Sequence, residues 1–172
     1  AHPRSTWGIT EGNPIHDQIR EIAQTTGVSF SVDVTINREH HISSVYAGEI
    51  LASHKAACSV AKRSAMRKVN KPFDIVITTN SGYPLDINLY QTIRGMSAAA
   101  QVIRNRGSIL CASECSDGLA QHGSFKDILS EADNPHELLQ LIFSNGYQKH
   151  DQWQVQIQAQ IQTQADLYLK SE

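Results

Sequence analysis

The sequence predicts an α/β protein with mixed sheets and flanking helices. Residues 73–113 follow the order strand, helix, strand, which is typical of a βαβ unit with a parallel strand pair and a right-handed crossover. Residues 28–46 alternate apolar and polar side chains on both sides of a polar turn, which predicts an antiparallel hairpin. Hydrophobic residues make up 40% of the 172-residue chain and charged residues 19%, so the chain can bury a core.

The first part of the chain is predicted to form a helix, the hairpin and a second helix. The first helix begins at Asn13-Pro14, with Asn as N-cap and Pro at the first helical position, and Gly27 ends it. The hairpin strands are residues 28–36 and 42–46. The second helix covers about 49–67, and its basic C-terminal end suits the negative pole of the helix dipole.

A new pattern begins at Lys71-Pro72, because proline cannot continue the preceding helix. The apolar, β-branched run 73–79 predicts a strand covered on both faces. Asp86 is the predicted cap of a long helix over about 87–105, which Gly107 ends. A second buried strand at 108–113 completes the βαβ unit.

The remaining sequence predicts helices at about 124–132 and 135–143, followed by an ambiguous segment at 153–164. That segment alternates as a strand does, yet it also carries apolar residues four apart, as a helix does. A strand of that length would span about 40 Å, at roughly 3.3 Å per residue, which is too long for a domain of this size. We therefore predict a helix there and a short strand at 167–169.

Composition excludes several classes of function. The 15 Lys and Arg nearly balance the 17 Asp and Glu, which argues against nucleic-acid binding driven by phosphate neutralisation. No apolar run is long enough to span a membrane. Three cysteines cannot all pair within the chain, and no apolar leader opens the sequence, so a reducing, cytoplasmic location is expected. The common nucleotide-binding, serine-hydrolase and zinc-protease motifs are absent.

The most informative stretch is residues 82–94, between the end of a buried strand and the first turns of a helix. Ligands of open α/β sheets bind at that position, and helix N-termini attract anions. Gln91 and Arg94 are three residues apart, so both project from one helix face and predict a carboxylate clamp. A surface polar pair beside a capping aspartate is the alternative, and the spacing alone leaves it open.

The cysteines and histidines form no recognisable site in the sequence. Cys111 and Cys115 lack the further ligands that a structural zinc needs, so no metal site is predicted. Cys58 and His54 share the apolar stripe of the second helix and are predicted to pack in a core. The role of His2 stays unassigned.

Five short motifs resemble the nickel-dependent lactate racemase family, and together they extend over almost the whole chain. The longest and most specific is GYPLDINLYQ at 82–91; the others are EGNP at 11–14, AGE at 47–49 with His54 beyond it, ECSDG at 114–118, and DQWQ at 151–154.

The resemblance implies an isomerase, a racemase or epimerase of 2-hydroxy acids that transfers hydride to a nickel-pincer nucleotide, pyridinium-3,5-bisthiocarboxylic acid mononucleotide nickel. In this family the lysine that tethers the cofactor, the nickel-binding histidine and the catalytic histidines belong to a larger N-terminal domain. Residues 1–71 would then be the C-terminal part of the cofactor-binding domain, and 72–172 the smaller substrate-side domain. The chain is accordingly expected to be a fragment that is inactive alone, with no catalytic residue of its own assigned.

The resemblance also implies which residues line the substrate pocket. Gln91 matches a glutamine that contacts substrate, Trp153 matches a tryptophan of the pocket wall, and Tyr90 lies beside them as a further substrate-binding residue. Arg94 stands where lactate racemases have a lysine, which keeps the charge but replaces a point ammonium with a planar fork. The substrate is therefore expected to be a small-molecule hydroxy acid that can differ from lactate. A homo-oligomer is a separate expectation. The alternative function is a non-catalytic module that binds a small carboxylate or another protein.

Overall fold

The computed structural model describes residues 2, 4–120 and 123–171. The chain divides into two compact units, Ala1–Lys68 and Val69–Glu172. The described part of the first unit contains α1 (Pro14–Thr25), β1 (Ser31–Ile36), β2 (Ile42–Gly48) and α2 (Ile50–Ala65). The described part of the second unit contains β3 (Phe73–Thr79), α3 (Leu89–Ala99), β4 (Ile103–Ala112), α4 (Phe125–Leu129), α5 (Pro135–Ile142), α6 (Gln152–Gln164) and β5 (Asp166–Lys170). The predicted α/β class with mixed sheets is confirmed.

Capping side chains define where both helices of the first unit begin. The Asn13 side chain accepts hydrogen bonds from the first backbone N–H groups of α1, which satisfies donors that have no partner inside the helix. Glu49 does the same for α2. The helix α2 packs on the antiparallel hairpin β1–β2. The Ser53 hydroxyl marks this contact, 2.5 Å from the Ser31 hydroxyl and within 3.3 Å of the Asp33 carboxylate.

The apolar face of the hairpin is the exposed one. Val34 pairs with Val45 across the two strands, and their side chains are 47% and 59% exposed. The polar side chains on the opposite face of the hairpin, such as Ser31 and Asp33, contact Ser53 of α2. Alternation shows which side chains share a face of a sheet but not which face is covered. Helical spacing likewise shows which side chains of α1 share a face but not whether that face is covered. Its isoleucine stripe is exposed at Ile15, Ile19 and Ile22.

The second unit is built on a parallel sheet of order β3-β4-β5. The parallel pair β3–β4, with α3 between them in the chain, confirms the predicted βαβ unit. The core lies between one face of this sheet and the helices, and its fully buried members include Ile93, Ile109, Phe125, Ile128 and Val155.

Coverage of β3 and the bounds of α3 differ from the sequence predictions. The strand β3 is covered on one face only, since Ile75 and Ile77 are exposed. The helix begins at Leu89, not at 87, and the side chain of Asn88 caps it instead of Asp86. It ends at Ala99, not at 105, because β4 begins at Ile103, which pairs with Phe73 of β3.

The ambiguous segment at 153–164 is helical, as predicted, and β5 follows it. Within the described residues, no helix combines the length and the hydropathy that a bilayer crossing requires.

Candidate functional site

The candidate site lies where the loops after β3 and β4 meet, at the N-terminus of α3. Backbone hydrogen bonds join the two loops: the Cys115 N–H donates to the Asp86 carbonyl over 2.9 Å, and the Asp117 N–H donates to the Ile87 carbonyl over 2.8 Å. The Leu89 N–H at the start of α3 donates to the Gly118 carbonyl over 2.9 Å. Both loops leave the carboxyl ends of parallel strands, which is the edge where α/β sheets bind ligands.

The inner face of α3 is fixed against the sheet. Thr92 is fully buried, and its hydroxyl lies 2.6 Å from the Ser113 hydroxyl at the end of β4. Gly95 lies so close to β3 that a Cβ atom there would be 2.4 Å from the Thr79 carbonyl oxygen. The absence of a side chain at Gly95 and the hydroxyl of Thr92 therefore determine how closely α3 packs on the sheet.

The predicted clamp residues point away from that inner face. Gln91 is half-buried and Arg94 is exposed, and the Gln91 N–H donates to the cap side chain of Asn88 over 3.0 Å. The two side chains come from the first turns of the helix, where the helix dipole favours an anion. The arrangement can bind a carboxylate, with the guanidinium supplying charge and the amide supplying a further hydrogen bond.

The structure also brings together two of the predicted pocket residues from distant parts of the chain. The Tyr90 and Trp153 rings meet edge to face, with centroids 6.0 Å apart and an interplanar angle of 80°. Tyr90 packs in the same way on the buried Phe125, at 5.5 Å. The side-chain amide of Gln154 donates to the Tyr90 carbonyl over 2.5 Å, so α6 and α3 are joined next to the aromatic pair.

Asp151, at the N-terminal end of α6, is a site residue to which the sequence assigns no role. Its carboxylate is buried, accepts a hydrogen bond from the Tyr90 hydroxyl over 3.2 Å, and lies 2.9 Å from Nδ1 of His150. Burial raises the pKa of the Tyr90 hydroxyl, and the Asp151 charge raises it further, while Arg94 lowers it. Only the motif DQWQ in the sequence marks this position.

A polar cluster lies beneath the joined loops. The Glu114 N–H donates to the buried Asp86 carboxylate over 3.3 Å, and the Ser113 hydroxyl lies 3.3 Å from the Cys115 sulfur. Burial raises the pKa of the Cys111 thiol to about 11, with smaller contributions from Cys115 and Asp86. These contacts hold the loops together and do not include the predicted clamp residues.

A cavity of about 850 Å³ lies in the first unit, between α1 and α2. His54 and Cys58 line it, 3.5 Å apart from ring nitrogen to sulfur, with the His16 ring 5.2 Å from that of His54. Both residues of the predicted core stripe are therefore half-buried on a cavity wall. His2 is exposed, and its Nδ1 accepts a hydrogen bond from the backbone of Arg4.

Among residues 2, 4–120 and 123–171, no group of three or more His, Cys, Asp or Glu side chains is placed to hold a metal ion.

Comparisons with known proteins agree on one family. Residues 68–172 match the family described as the lactate racemase C-terminal domain. The chain is 36% identical over 163 residues to a lactate racemase of Thermoanaerobacterium thermosaccharolyticum, covering 93% of this chain and 38% of that protein. It is 33% identical over 162 residues to a lactate racemase of Lactiplantibacillus plantarum, covering 92% and 38%.

A solved structure gives the same result. The lactate racemase apoprotein of Thermoanaerobacterium thermosaccharolyticum matches with a TM-score of 0.92 and 33% identity, over 99% of this chain and 41% of that one. This chain thus spans 38% of the length of each curated relative it matches.

Proposed function

The chain belongs to the lactate racemase family, with residues 68–172 as the family's C-terminal domain, and we propose that it supplies the substrate-side wall of a 2-hydroxy-acid racemase or epimerase. The observation that carries this proposal is the N-terminal part of α3. It presents Gln91 and Arg94 at the ligand-binding edge of a parallel sheet, next to the aromatic pair Tyr90–Trp153.

In this proposal each residue has a separate task. Arg94 pairs with the substrate carboxylate in the bidentate manner of a guanidinium, and Gln91 orients the carboxylate by a hydrogen bond. Trp153 and Tyr90 cover the carbon skeleton and exclude water from that side. Because Arg94 is a planar fork in the position where lactate racemases have a lysine, we extend the proposed substrates to 2-hydroxy acids larger than lactate.

We assign the hydride transfer to groups that do not belong to this chain. The family resemblance implies a nickel-pincer nucleotide, which accepts and returns hydride when bound. The described residues offer no group of three metal ligands, so they do not fit a nickel site by themselves. We therefore derive only binding and orientation of substrate from this chain.

We further propose that the chain acts as part of a longer protein. The apolar faces left exposed on the hairpin, on α1 and on β3 support this, as does the 38% coverage of the relatives. In that assignment residues 1–71 complete the cofactor-binding domain and 72–172 form the substrate domain. The described cysteines Cys58, Cys111 and Cys115 are all free, which is compatible with the proposed cytoplasmic location.

The test is the affinity of this chain for lactate, measured by isothermal titration calorimetry with the variant Arg94→Ala. We expect affinity to fall more than tenfold, since a charge-assisted bidentate pair is lost. Arg94→Lys restores part of the loss because the charge remains. Arg104→Ala is the control, because Arg104 is a surface arginine whose ion pair with Asp74 lies on the strands and not in the site. Equal affinity of Arg94→Ala and the unmodified chain, or no saturable binding by the unmodified chain, would contradict the proposal.

A further inference from the structure

We propose that His54 and Cys58 of α2 bind a zinc ion at the wall of the cavity in the first unit. Both side chains line this cavity, and neither has a role in the proposed function. The inference stands apart from that function, because its residues all belong to the first unit, whereas the proposed substrate contacts belong to the second.

The first argument is the position of the two side chains on the helix. His54 and Cys58 are four residues apart in α2, so they project from the same face, about one turn apart. Zinc-binding helices use this spacing, because it lets two side chains reach one ion. The two side chains do meet: the Cys58 sulfur lies 3.5 Å from Nε2 of His54 and 3.8 Å from Nδ1.

The second argument is the length of this contact. Zinc binds cysteine sulfur at about 2.3 Å and histidine nitrogen at about 2.0–2.1 Å, so a tetrahedral ion holds the two atoms about 3.6 Å apart. A square-planar ion with the same bond lengths would hold them about 3.1 Å apart. The observed 3.5 Å fits the tetrahedral arrangement. A thiolate with an imidazole also suits zinc and not calcium or magnesium, which prefer oxygen ligands.

The number of ligands in place shows what completes the site. The chain supplies two, since no three His, Cys, Asp or Glu side chains of the described residues are placed to hold a metal ion together. The other positions of a tetrahedral ion therefore belong to water. The cavity of about 850 Å³, which both side chains line, has room for it.

The third argument is a buried histidine nitrogen beside the pair. The His16 ring, from α1, lies 5.2 Å from the His54 ring, and its Nδ1 atom is buried with no hydrogen-bond partner among the described residues. Protein interiors seldom leave such an atom unsatisfied. A zinc-bound water is a strong hydrogen-bond donor, so we assign to His16 the role of accepting a hydrogen bond from it.

The fourth argument is the charge of the cavity wall. Its carboxylates and cationic side chains are equal in number: Glu11, Asp17 and Glu21 against Arg20, Lys55 and Lys62. Zinc binds the thiolate, so Zn²⁺ displaces the thiol proton of Cys58 to solvent as a zinc–sulfur bond forms. The wall then carries one net negative charge, which favours the cation over an anion.

The experiment is a zinc titration of the full chain, reduced and freed of metal, in competition with a chromophoric chelator. The unmodified chain should bind zinc saturably. Cys58→Ser and His54→Gln should each lower the affinity by more than about tenfold, because even a supporting contact at a metal site is worth that much. His16→Ala should lower it less than either, since it removes a hydrogen bond and not a ligand.

The matched control is Cys115→Ser. Cys115 is also a half-buried thiol, but its sulfur lies beside the hydroxyls of Ser113 and Thr92 in the second unit, so zinc affinity should stay unchanged. No saturable binding by the unmodified chain, or equal affinity of the unmodified chain and both ligand variants, would overturn the proposal.

Cobalt(II) in place of zinc provides a second readout. It gives a sulfur-to-metal charge-transfer band in the near ultraviolet only when a thiolate is a ligand. The band should be lost in Cys58→Ser and kept in Cys115→Ser, and the reverse pattern would place the ion elsewhere and overturn the proposal. Circular dichroism confirms that each variant is folded, and His54→Gln, which keeps the thiol, decides the matter should Cys58→Ser not fold.

Discussion

Gly95→Ala is the substitution that most directly tests how α3 is positioned. Gly95 lies inside α3, where glycine is intrinsically a poor choice: replacing it with alanine should stabilise an isolated helix by about 1 kcal/mol. The fold opposes this gain. The new Cβ would lie 2.4 Å from the Thr79 carbonyl oxygen and 3.0 Å from its carbonyl carbon. We therefore expect the opposite sign, a loss of stability.

The size of this stability loss depends on how far α3 has to move away from β3. A carbon beside a carbonyl oxygen normally sits at about 3.3–3.6 Å, so α3 must shift by about 1 Å. The obstacle is backbone of β3 and not a flexible side chain, and the Thr78 hydroxyl bonds to the Gly95 carbonyl at the same contact. Overpacking of this kind costs about 1–3 kcal/mol. Because the obstacle at 2.4 Å is backbone, the upper part of that range applies, about 2–3 kcal/mol, and after the gain of about 1 kcal/mol in helix propensity the net loss is about 1–2 kcal/mol.

The assay is equilibrium unfolding in urea, followed by Trp153 fluorescence in a Trp7→Phe background so that only the second unit is reported. Ala98→Gly is the control, because Ala98 is exposed on the same helix and should lose only the propensity, about 1 kcal/mol. If Gly95→Ala proves neutral or more stable than the parent, the close contact of α3 with β3 is not as described, and the placement of the clamp residues loses its basis.

Two further predictions concern the second unit. Ile93→Ala, at a fully buried position, should cost about 2–5 kcal/mol in the same urea assay, whereas Ile77→Ala, 77% exposed, should stay within about 0.5 kcal/mol. Cys111 should react more slowly than Cys115 with a thiol reagent at pH 8, because its pKa is raised to about 11 and its side chain is buried. The folded pKa lies above the reference value of 9.0, so this thiol's contribution to stability is complete below pH 9 and is lost as pH rises toward 11. Cys111→Ser should reduce that alkaline loss; equal labelling rates or an unchanged alkaline profile would contradict the assignment.

The parallel βαβ unit could be predicted because its signals are local. Two apolar strands and a helix stripe in one short stretch have few alternative topologies. The bounds of α3 could not, because they depend on tertiary contacts. Residues 103–105 continue a helical pattern in sequence but belong to β4, in which Ile103 pairs with Phe73 of β3. Asn88 rather than Asp86 caps the helix because the Asp86 carboxylate accepts the Glu114 N–H.

The candidate site could likewise be predicted only where its residues are close together in the sequence. Gln91 and Arg94 are three residues apart, so helical geometry alone places them on one face. Tyr90 and Asp151 are 61 residues apart, and nothing in the sequence shows that their side chains meet. Their contact depends on how α6 packs on α3 and on the left-handed backbone of Asp151, both of which are set by the whole unit.

The division of α3 into an inner and an outer face makes stability and binding separable. Thr92, Ile93 and Gly95 are buried against the sheet and the core, while Gln91 and Arg94 project from the other side. A change on the inner face moves the helix as a body, so it must alter stability and, through position, affinity. A change on the outer face removes a ligand contact while the packing stays intact. Arg94→Ala and Gly95→Ala are adjacent in sequence yet should differ in this way, and that contrast can arise only if α3 is both a core element and the carrier of the binding residues.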